Sequence, residues 1–343
     1  MKKICLLLFL MVLILSGFVF PEKIALLDEL TNPGAIVIEK NQVFITKGAS
    51  VFIYSFEAGD VSLHKKFGKA GEGPGEFIVI PTINRGCVTI DVQPGYILIS
   101  SMGKVSLFSR DGYLLKEARV NTIMGWYTGM ENGFAGLEAA QDNSGSYLKL
   151  YLYDSDFKEK KELFKIKIWK QGKKFNPIMA SRFPLVYTDD DKIFIDGYIN
   201  EGSGKIHVFE KTGEKSHSIV PEFERLIVTG DDKKNVLNWY KTNPRIREAY
   251  DFLKNLFLFP DYFPEIRWYT ISDQKIYILT YKKEDGKSEF LVFDISGKFL
   301  KKVFLPLVEL DDIQFYPFTI CQKALYQLVE NENEAWELHR TGI

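Results

Sequence analysis

Residues 67–77, FGKAGEGPGEF, join two similar groups of short apolar segments. Glycine reaches positive φ at little steric cost, so the repeated glycines allow the chain to turn sharply here. Pro74 fixes its own φ and biases Gly73 away from the helical region. Residues 78–81 (IVIP) then have the pattern of an extended segment. The stretch therefore predicts a compact turn that ends one β-unit and begins the next.

A phosphate-binding loop is the alternative interpretation of this stretch. A P-loop needs Gly-Lys followed by Ser or Thr at the start of a helix, whereas Glu76 and Phe77 end this stretch. A dinucleotide-binding loop also needs a helix after the glycines, and residues 78–81 have an extended pattern. Glu72 and Glu76 would repel a phosphate group. We therefore interpret the stretch as a structural turn.

A unit of four strands recurs along the chain, usually with a glycine turn before its last strand. The units span residues 35–67, 87–120, 126–168, 185–220, 268–305 and 318–338. The last unit is one strand short, and residues 23–27 (KIALL) form a spare strand before the first unit. Pairing these two closes a ring and removes open sheet edges. The sequence therefore predicts an all-β six-bladed β-propeller with four-stranded antiparallel blades, closed by the N-terminal strand.

The sequence resembles the secreted bacterial six-bladed β-propellers that are related to NHL-repeat proteins. The resemblance rests on the glycine-proline stretch at residues 67–77 and on the strand and turn pattern around it. It covers nearly all of the chain after residue 20. That family is defined largely by its fold, and its functions are mostly unassigned. The resemblance therefore implies the architecture and the export of this protein more than an activity.

The first residues have the pattern of a secretory signal peptide. Lys2 and Lys3 form a basic start, and residues 4–15 are apolar. We expect residues 1–20 to be removed on export to the periplasm or the extracellular space, which leaves residues 21–343 as a single propeller domain. An uncleaved N-terminal anchor is the alternative, although the apolar run is short for a helix that spans a membrane.

The charge balance gives no electrostatic reason to expect a nucleic-acid or membrane partner. Lys and Arg number 44 against 45 Asp and Glu, a formal net charge of −1, whereas nucleic-acid-binding domains are usually basic. Residues 158–174 contain eight lysines, but Lys165 and Lys167 alternate with isoleucines, which predicts an outer strand with a solvated face. Cys87 and Cys321 lie in apolar strand patterns, so we expect buried free thiols.

Residues 231–262 interrupt the strand pattern between the fourth and fifth units. Asp231-Asp232 predicts the start of one short helix, and Asn243-Pro244 predicts the start of a second. Apolar residues then recur at helical spacing up to Phe257. The insertion joins the outer strand of one blade to the inner strand of the next, a connection that lies at the channel mouth of a propeller. It either covers apolar blade surface or acts as a lid or partner-binding element.

The residues that bind metals or act as nucleophiles do not form a recognisable motif. His64, His207, His217 and His339 are too dispersed for a zinc site, which takes several ligands at short spacings. Residues 189–191 (DDD) lie in a predicted hairpin turn and lack the spacing of an EF-hand loop. The Gly-x-Ser-x-Gly nucleophile motif is absent from the sequence. We therefore expect no cofactor and no metal ion, and we assign no catalytic residue.

Arginine and aromatic residues recur at the start of the predicted inner strands, where they would converge near the mouth of the central channel. The candidate ligand-binding residues are Arg85, Trp126, Tyr127, Arg182, Arg267, Trp268 and Tyr316. Arginine and aromatic side chains together suit carboxylate, sugar or peptide ligands. The alternative is that these side chains fill the channel and pair with their neighbours.

These observations favour an exported binding or interaction propeller that recognises a peptide, a glycan or a protein partner at its channel-mouth face. The alternative is a metal-dependent hydrolase or lyase that uses channel carboxylates such as Asp91. A third interpretation is a structural scaffold with a filled channel. The fold alone does not choose among them. We expect the protein to be a monomer that does not contact the membrane once its signal is removed.

Overall fold

The chain folds into six four-stranded antiparallel sheets. The computed structural model describes residues 21–57, 60–79, 88–120, 125–142, 145–169, 174–179, 186–189, 192–197, 204–244, 246–311 and 313–343. The innermost strand of each sheet lies beside the innermost strands of the two neighbouring sheets, so the sheets form blades of a ring around a central channel. The predicted six-bladed β-propeller is confirmed.

Blades 1 to 5 each consist of four consecutive strands, with the innermost strand first. The strands of blades 1 to 3 are β2 (Ala35–Glu39), β3 (Gln42–Lys47), β4 (Ser50–Glu57), β5 (Asp60–Phe67), β6 (Thr89–Val92), β7 (Ile97–Ser101), β8 (Lys104–Phe108), β9 (Leu114–Arg119), β10 (Gly125–Met130), β11 (Gly133–Asp142), β12 (Gly145–Tyr153) and β13 (Glu159–Trp169). Those of blades 4 and 5 are β14 (Val186–Asp189), β15 (Lys192–Asp196), β16 (Ile206–Glu210), β17 (Lys215–Ile219), β18 (Trp268–Ser272), β19 (Lys275–Glu284), β20 (Lys287–Asp294) and β21 (Phe299–Leu305). Blade 6 combines β22 (Phe318–Cys321), β23 (Ala324–Glu330) and β24 (Trp336–Gly342) with β1 (Glu22–Leu27).

The N-terminal strand completes blade 6, as the sequence predicts. β1 pairs antiparallel with β24, from Glu22 opposite Arg340 to Leu27 opposite Trp336. Leu27 and Trp336 are almost fully buried, in an apolar cluster that also contains residues of blade 1. The two ends of the described chain therefore meet in one blade, and their pairing closes the ring.

The core lies between neighbouring blades. In β3, Val43 and Ile45 pack toward blade 6, whereas Phe44 between them packs toward blade 2. Successive side chains of a strand point to opposite faces, and each face of a blade is covered by a neighbour. The middle strands are therefore continuous apolar runs. β13, which carries Lys165 and Lys167, is the outermost strand of blade 3, as its lysine pattern predicts.

The turn at residues 67–77 is held by its own backbone and side chains. Gly68 has a φ of +80°, and a Cβ there would lie 2.3 Å from the ring of Phe77, so the turn requires glycine at this position. The Glu76 carboxylate accepts a hydrogen bond from the Gly73 N–H at 2.9 Å. A phosphate-binding loop would offer such an amide to its ligand. The stretch is therefore a structural turn, as its sequence predicts.

Lys104 and Glu117 of blade 2 hold this turn in place through side-chain contacts. The Lys104 ammonium donates to the Gly73 carbonyl at 2.9 Å and lies 3.1 Å from the Glu117 carboxylate. Glu117 also accepts a hydrogen bond from the Gly75 N–H at 3.1 Å. The Lys104 side chain is only 4% exposed. A buried ion pair therefore connects the turn to the outer part of blade 2.

The helices that the structure describes are few and short. They are the 3₁₀ turn Pro177–Met179, helix α1 (Gly230–Thr242), the 3₁₀ turn Arg247–Ala249, helix α2 (Tyr250–Leu253) and the 3₁₀ turn Lys254–Leu256. In the described part of the chain, no helix is both long and apolar enough to cross a membrane. The helical segments after residue 229 form the predicted insertion between blades 4 and 5.

Two details of the predicted insertion are wrong. The N-cap of α1 is Thr229, whose side chain accepts a hydrogen bond from the Asp232 N–H, and the Asp232 carboxylate accepts one from the Thr229 N–H. This capping box starts the helix before Asp231. Asn243 ends α1 by donating its N–H to the Trp239 carbonyl, and the second helical segment begins after it, at Arg247. From Arg247 to Leu256 the chain is continuously helical, as a 3₁₀ turn, α2 and another 3₁₀ turn, so the predicted second helix is present but short.

Candidate functional site

A cavity of about 1130 Å³ occupies the central channel. The inner strands of all six blades contribute to its wall, and α1 and the segment before β22 contribute to its upper end. We call this upper end the channel mouth, because the connections from each outer strand to the next inner strand lie there. A cavity of this size accommodates an extended side chain, a short peptide segment or a sugar unit.

Four of the predicted ligand-binding residues line this cavity: Trp126, Arg267, Trp268 and Tyr316. Tyr127 does not. Its side chain is buried between blades 2 and 3, and its hydroxyl donates to the Glu138 carboxylate. Successive residues of a strand point to opposite faces, so Trp126 and its neighbour cannot share an environment. We therefore remove Tyr127 from the predicted set. The other two members, Arg85 and Arg182, lie outside the described residues.

Arg267 is fixed by partners on the segment that leads into β22. Its Nη1 lies 3.0 Å from the Glu309 carboxylate, and its Nη2 donates to the Ile313 carbonyl at 3.4 Å. The guanidinium also stacks 3.9 Å from the centre of the Phe315 ring. Only 11% of its side chain is exposed. Arg267 therefore stabilises the channel mouth. Lys283 pairs with the same Glu309 and is the more exposed cation of the two.

An aromatic wall joins blades 5 and 6 beside this ion pair. The rings of Trp268 and Phe318 lie 4.4 Å apart, and Phe315 meets Phe318 edge-on at 5.8 Å. Tyr316 packs edge-on against the buried Trp336 at 5.6 Å. Aromatic rings with a nearby polar group are typical of surfaces that bind sugars and peptides.

A network of polar side chains crosses the opposite wall of the channel. The Asp91 Oδ2 accepts hydrogen bonds from the Gly129 N–H at 2.7 Å and the Gln93 amide at 2.8 Å. It also accepts one from the Thr128 hydroxyl at 3.3 Å. The hydroxyls of Thr128 and Thr188 lie 2.9 Å apart. We call these residues the Asp91 network, and it connects the inner strands of blades 2, 3 and 4.

Burial governs the electrostatics of this network. Removal from water raises the pKa of Asp91, and the hydrogen bonds from Gly129 and Gln93 only partly oppose that effect. Burial, with the nearby Asp91 charge, raises the pKa of the Tyr96 hydroxyl to about 12. It also raises the pKa of Tyr187. Burial therefore disfavours the charged forms of Asp91 and of the two tyrosines at this wall.

The sequence analysis missed Thr128 and Thr188 altogether. Thr128 is the single polar residue of β10, and Thr188 precedes Asp189 at the end of β14. The signal that could have found them is a polar residue at an equivalent position in several inner strands. Asp91 alone was singled out, as a candidate channel carboxylate.

α1 lies over part of the channel mouth. Asp232, Asn235 and Val236 contribute to the cavity lining. Trp239 donates to the Asp311 carboxylate at 2.9 Å, and the Tyr240 hydroxyl donates to the Pro177 carbonyl at 3.2 Å. The helix therefore bridges the connections that lead into blades 4 and 6, besides packing on apolar residues.

The other candidate chemical groups do not form a site. Among the described residues, no three His, Cys, Asp or Glu side chains come close enough to hold a metal ion. His207 is buried, with its ring 2.9 Å from the Ser218 hydroxyl. Cys321 is buried and free, and burial raises the pKa of its thiol to about 12. Cys87 and two of the three aspartates at residues 189–191 lie outside the described residues.

Comparisons with known proteins do not identify a family for this chain. No protein-family model matches the sequence, and no curated relative does either. A luciferin-regenerating enzyme is similar at 12% identity and a TM-score of 0.45, over 95% of this chain and 96% of that one. A protein of unknown function from Bacteroides caccae is similar at 8% identity and a TM-score of 0.44, over 88% of this chain and 94% of that one. BBS1N, from its complex with ARL6DN, is similar at 12% identity and a TM-score of 0.40, over 90% and 79%. Likeness at this level carries no argument about the site.

Proposed function

We propose that this protein is a binding propeller whose channel mouth receives a peptide, a glycan or a segment of a partner protein. The observation that carries the proposal is the cavity of about 1130 Å³, with an aromatic wall on one side and the Asp91 network on the other. Such pockets combine apolar area for affinity with a few polar groups for orientation. Arg85 and Arg182 remain part of the proposed rim.

The arrangement of the charged residues favours binding over catalysis. Arg267 and Glu309 form an ion pair that fixes the segment around them. Their charges therefore stabilise the channel mouth and are not directed at a reacting group. The aromatic rings offer flat apolar faces at little entropic cost, because each has only two rotatable side-chain bonds. Rigid aromatic groups around a preformed cavity are what a recognition site needs.

Export of the protein, by removal of residues 1–20 to leave a single domain of residues 21–343, is part of the same proposal. So is membership of the secreted propellers related to NHL-repeat proteins. Both rest on the sequence patterns at residues 1–20 and 67–77. Sequencing the N-terminus of the protein recovered from the periplasm or the medium tests export directly.

The binding proposal is tested by blocking the cavity without disturbing the core. Asn235 is an exposed residue of α1 that lines the cavity, so Asn235→Trp would fill the mouth. Asn238 is also exposed and does not line the cavity, which makes Asn238→Trp the matched control. Ligands found on peptide and glycan arrays should bind N235W at least tenfold more weakly by calorimetry, and N238W like wild type. Equal affinity for N235W would move the binding site elsewhere.

The rival function, a metal-dependent hydrolase or lyase, keeps one point of support. Asp91 is a carboxylate at the channel wall with a raised pKa, and perturbed groups in cavities are candidates for chemistry. Elemental analysis of protein purified without added metal or chelator tests this function. Stoichiometric calcium or zinc that is lost with a chelator would favour the enzyme.

A further inference from the structure

We propose that the channel wall at Asp91 binds a primary ammonium group of the ligand, such as a lysine side chain or the N-terminus of a peptide. The proposal rests on the binding function above and specifies the ligand class. It follows from the charge balance of the cavity, from the hydrogen bonds of Asp91 and from the rings around it.

Within the part of the chain that the structure describes, Asp91 is a carboxylate of the cavity wall without an ion-pair partner. Its hydrogen-bond donors are an amide side chain, a hydroxyl and backbone N–H groups, all of them neutral. Among the described residues, no Lys, Arg or His forms an ion pair with it. A buried carboxylate without a counter-charge is costly, so a ligand that supplies a cation would be stabilised there.

The other charged residues of the described lining already have partners. Arg267 and Lys283 both pair with Glu309. Asp232 accepts a hydrogen bond from the Thr229 N–H at 2.8 Å and caps α1. The described residues of the lining therefore supply no counter-charge to Asp91.

The geometry favours an ammonium group over other cations. Three hydrogen bonds converge on Oδ2 of Asp91, so the two carboxylate oxygens are not both open to a ligand. A guanidinium prefers to bind both carboxylate oxygens at once, whereas an ammonium group is a compact point charge. Calcium takes six to eight oxygen ligands, and the described residues supply no cluster of carboxylates here.

Aromatic residues of blades 2, 3 and 4 accompany Asp91 on this side of the ring. Trp126 lies two residues before Thr128 on β10, and therefore on the same face of the strand, and it lines the cavity. Tyr187 lines the cavity as well, and Tyr187 and Tyr96 are near enough to Asp91 for its charge to affect them. The faces of aromatic rings attract cations. A carboxylate with rings beside it is thus suited to an alkylammonium group.

The test uses 1,5-diaminopentane, 1-aminopentane and 1-pentanol as probes, with binding measured by calorimetry on wild type, Asp91→Asn and Asp251→Asn. Asparagine keeps an acceptor for the three donors of Asp91 and removes the charge, and D251N removes an exposed carboxylate that does not line the cavity. We expect both amines to bind wild type and D251N alike, pentanol to bind at least tenfold more weakly, and D91N to lose at least tenfold in amine affinity. Equal binding of amine and alcohol, or of D91N and wild type, would overturn the proposal.

The wild-type comparison of amine with alcohol holds even if D91N does not fold. Array ligands that N235W blocks but D91N leaves unchanged would overturn the ammonium site and keep the binding function. If the amines bind only when Asp91 is present but the array ligands bind N235W as tightly as wild type, the ammonium site is supported and the binding proposal as stated is overturned.

Discussion

The connection from blade 1 to blade 2 and the connection from blade 4 to blade 5 join equivalent strands, yet different forces hold them. The first is the glycine turn at residues 67–77, fixed by backbone hydrogen bonds and by the buried pair of Lys104 and Glu117. The second contains α1, which packs through an apolar cluster around Val236 and Tyr240 and through a few side-chain hydrogen bonds.

The difference separates structural connections from functional ones. The turn uses the Glu76 carboxylate and the N–H groups of Gly73 and Gly75 on itself and on blade 2, so these groups are not offered to a ligand. α1 has polar residues on the side that lines the cavity, and it contacts the rest of the protein mainly through apolar side chains. We expect changes in the turn to affect global stability, and changes around α1 to affect local stability and ligand access.

The largest effect is expected for Lys104→Met in the turn. It leaves the Glu117 carboxylate without its cation and the Gly73 carbonyl without its donor. Breaking a buried pair costs about 3–5 kcal/mol, and we expect the lower half of that range because the Glu117 side chain is 21% exposed. Urea unfolding measures the loss. Lys69→Met is the control in the same turn, because the Lys69 side chain is 76% exposed beside Glu76 and exposed pairs contribute little. A K104M protein as stable as K69M would refute the structural role of the turn.

Gly68→Ala should follow, with a loss of about 2–4 kcal/mol. A positive φ costs a non-glycine residue about 1–2 kcal/mol, and the clash with Phe77 adds overpacking. Gly48→Ala isolates the first term, because Gly48 also has a positive φ but has open space around its Cβ position. Equal losses for the two variants would mean that Phe77 moves aside freely, which would weaken the comparison.

A smaller and local effect is expected at α1 from Thr229→Ala, which removes the N-cap. Loss of such a cap costs about 1 kcal/mol. Hydrogen exchange of the α1 amides should accelerate while the urea midpoint hardly changes. Thr242→Ala, which removes only a bond to the Asn238 carbonyl at the other end of the helix, is the control. A drop in global stability equal to the local one would mean that α1 unfolds with the blades.

The smallest effect is expected beneath α1, from Asp91→Asn. Burial raises the pKa of Asp91, so its contribution to stability is fully present below its unfolded pKa and is lost as the pH rises through the raised pKa. D91N carries no such charge. The difference in urea midpoint between D91N and wild type should favour D91N at neutral pH and vanish in acid. A difference that is independent of pH would show that Asp91 is not strained by its ionisation.

Part of the candidate site could be predicted from the sequence. Trp126, Arg267, Trp268 and Tyr316 line the cavity because each lies at or just before the start of an inner strand, a position that the repeat pattern reveals. Tyr127 does not line the cavity, because a shift of one residue along a strand places the side chain on the opposite face. The pairing of Arg267 with Glu309 was also out of reach, since they are 42 residues apart.

The sequence by itself determined the six four-stranded units, the spare N-terminal strand that closes the ring and the place of the helical insertion. These follow from local periodicity and turn chemistry, which neighbouring residues encode. Only the tertiary structure decided which polar residues meet across the channel. Asp91 and Thr128 are 37 residues apart, and Thr128 and Thr188 are 60 apart. Their contacts depend on the angle and height at which whole blades pack, and that packing arises from apolar contacts spread over every blade interface.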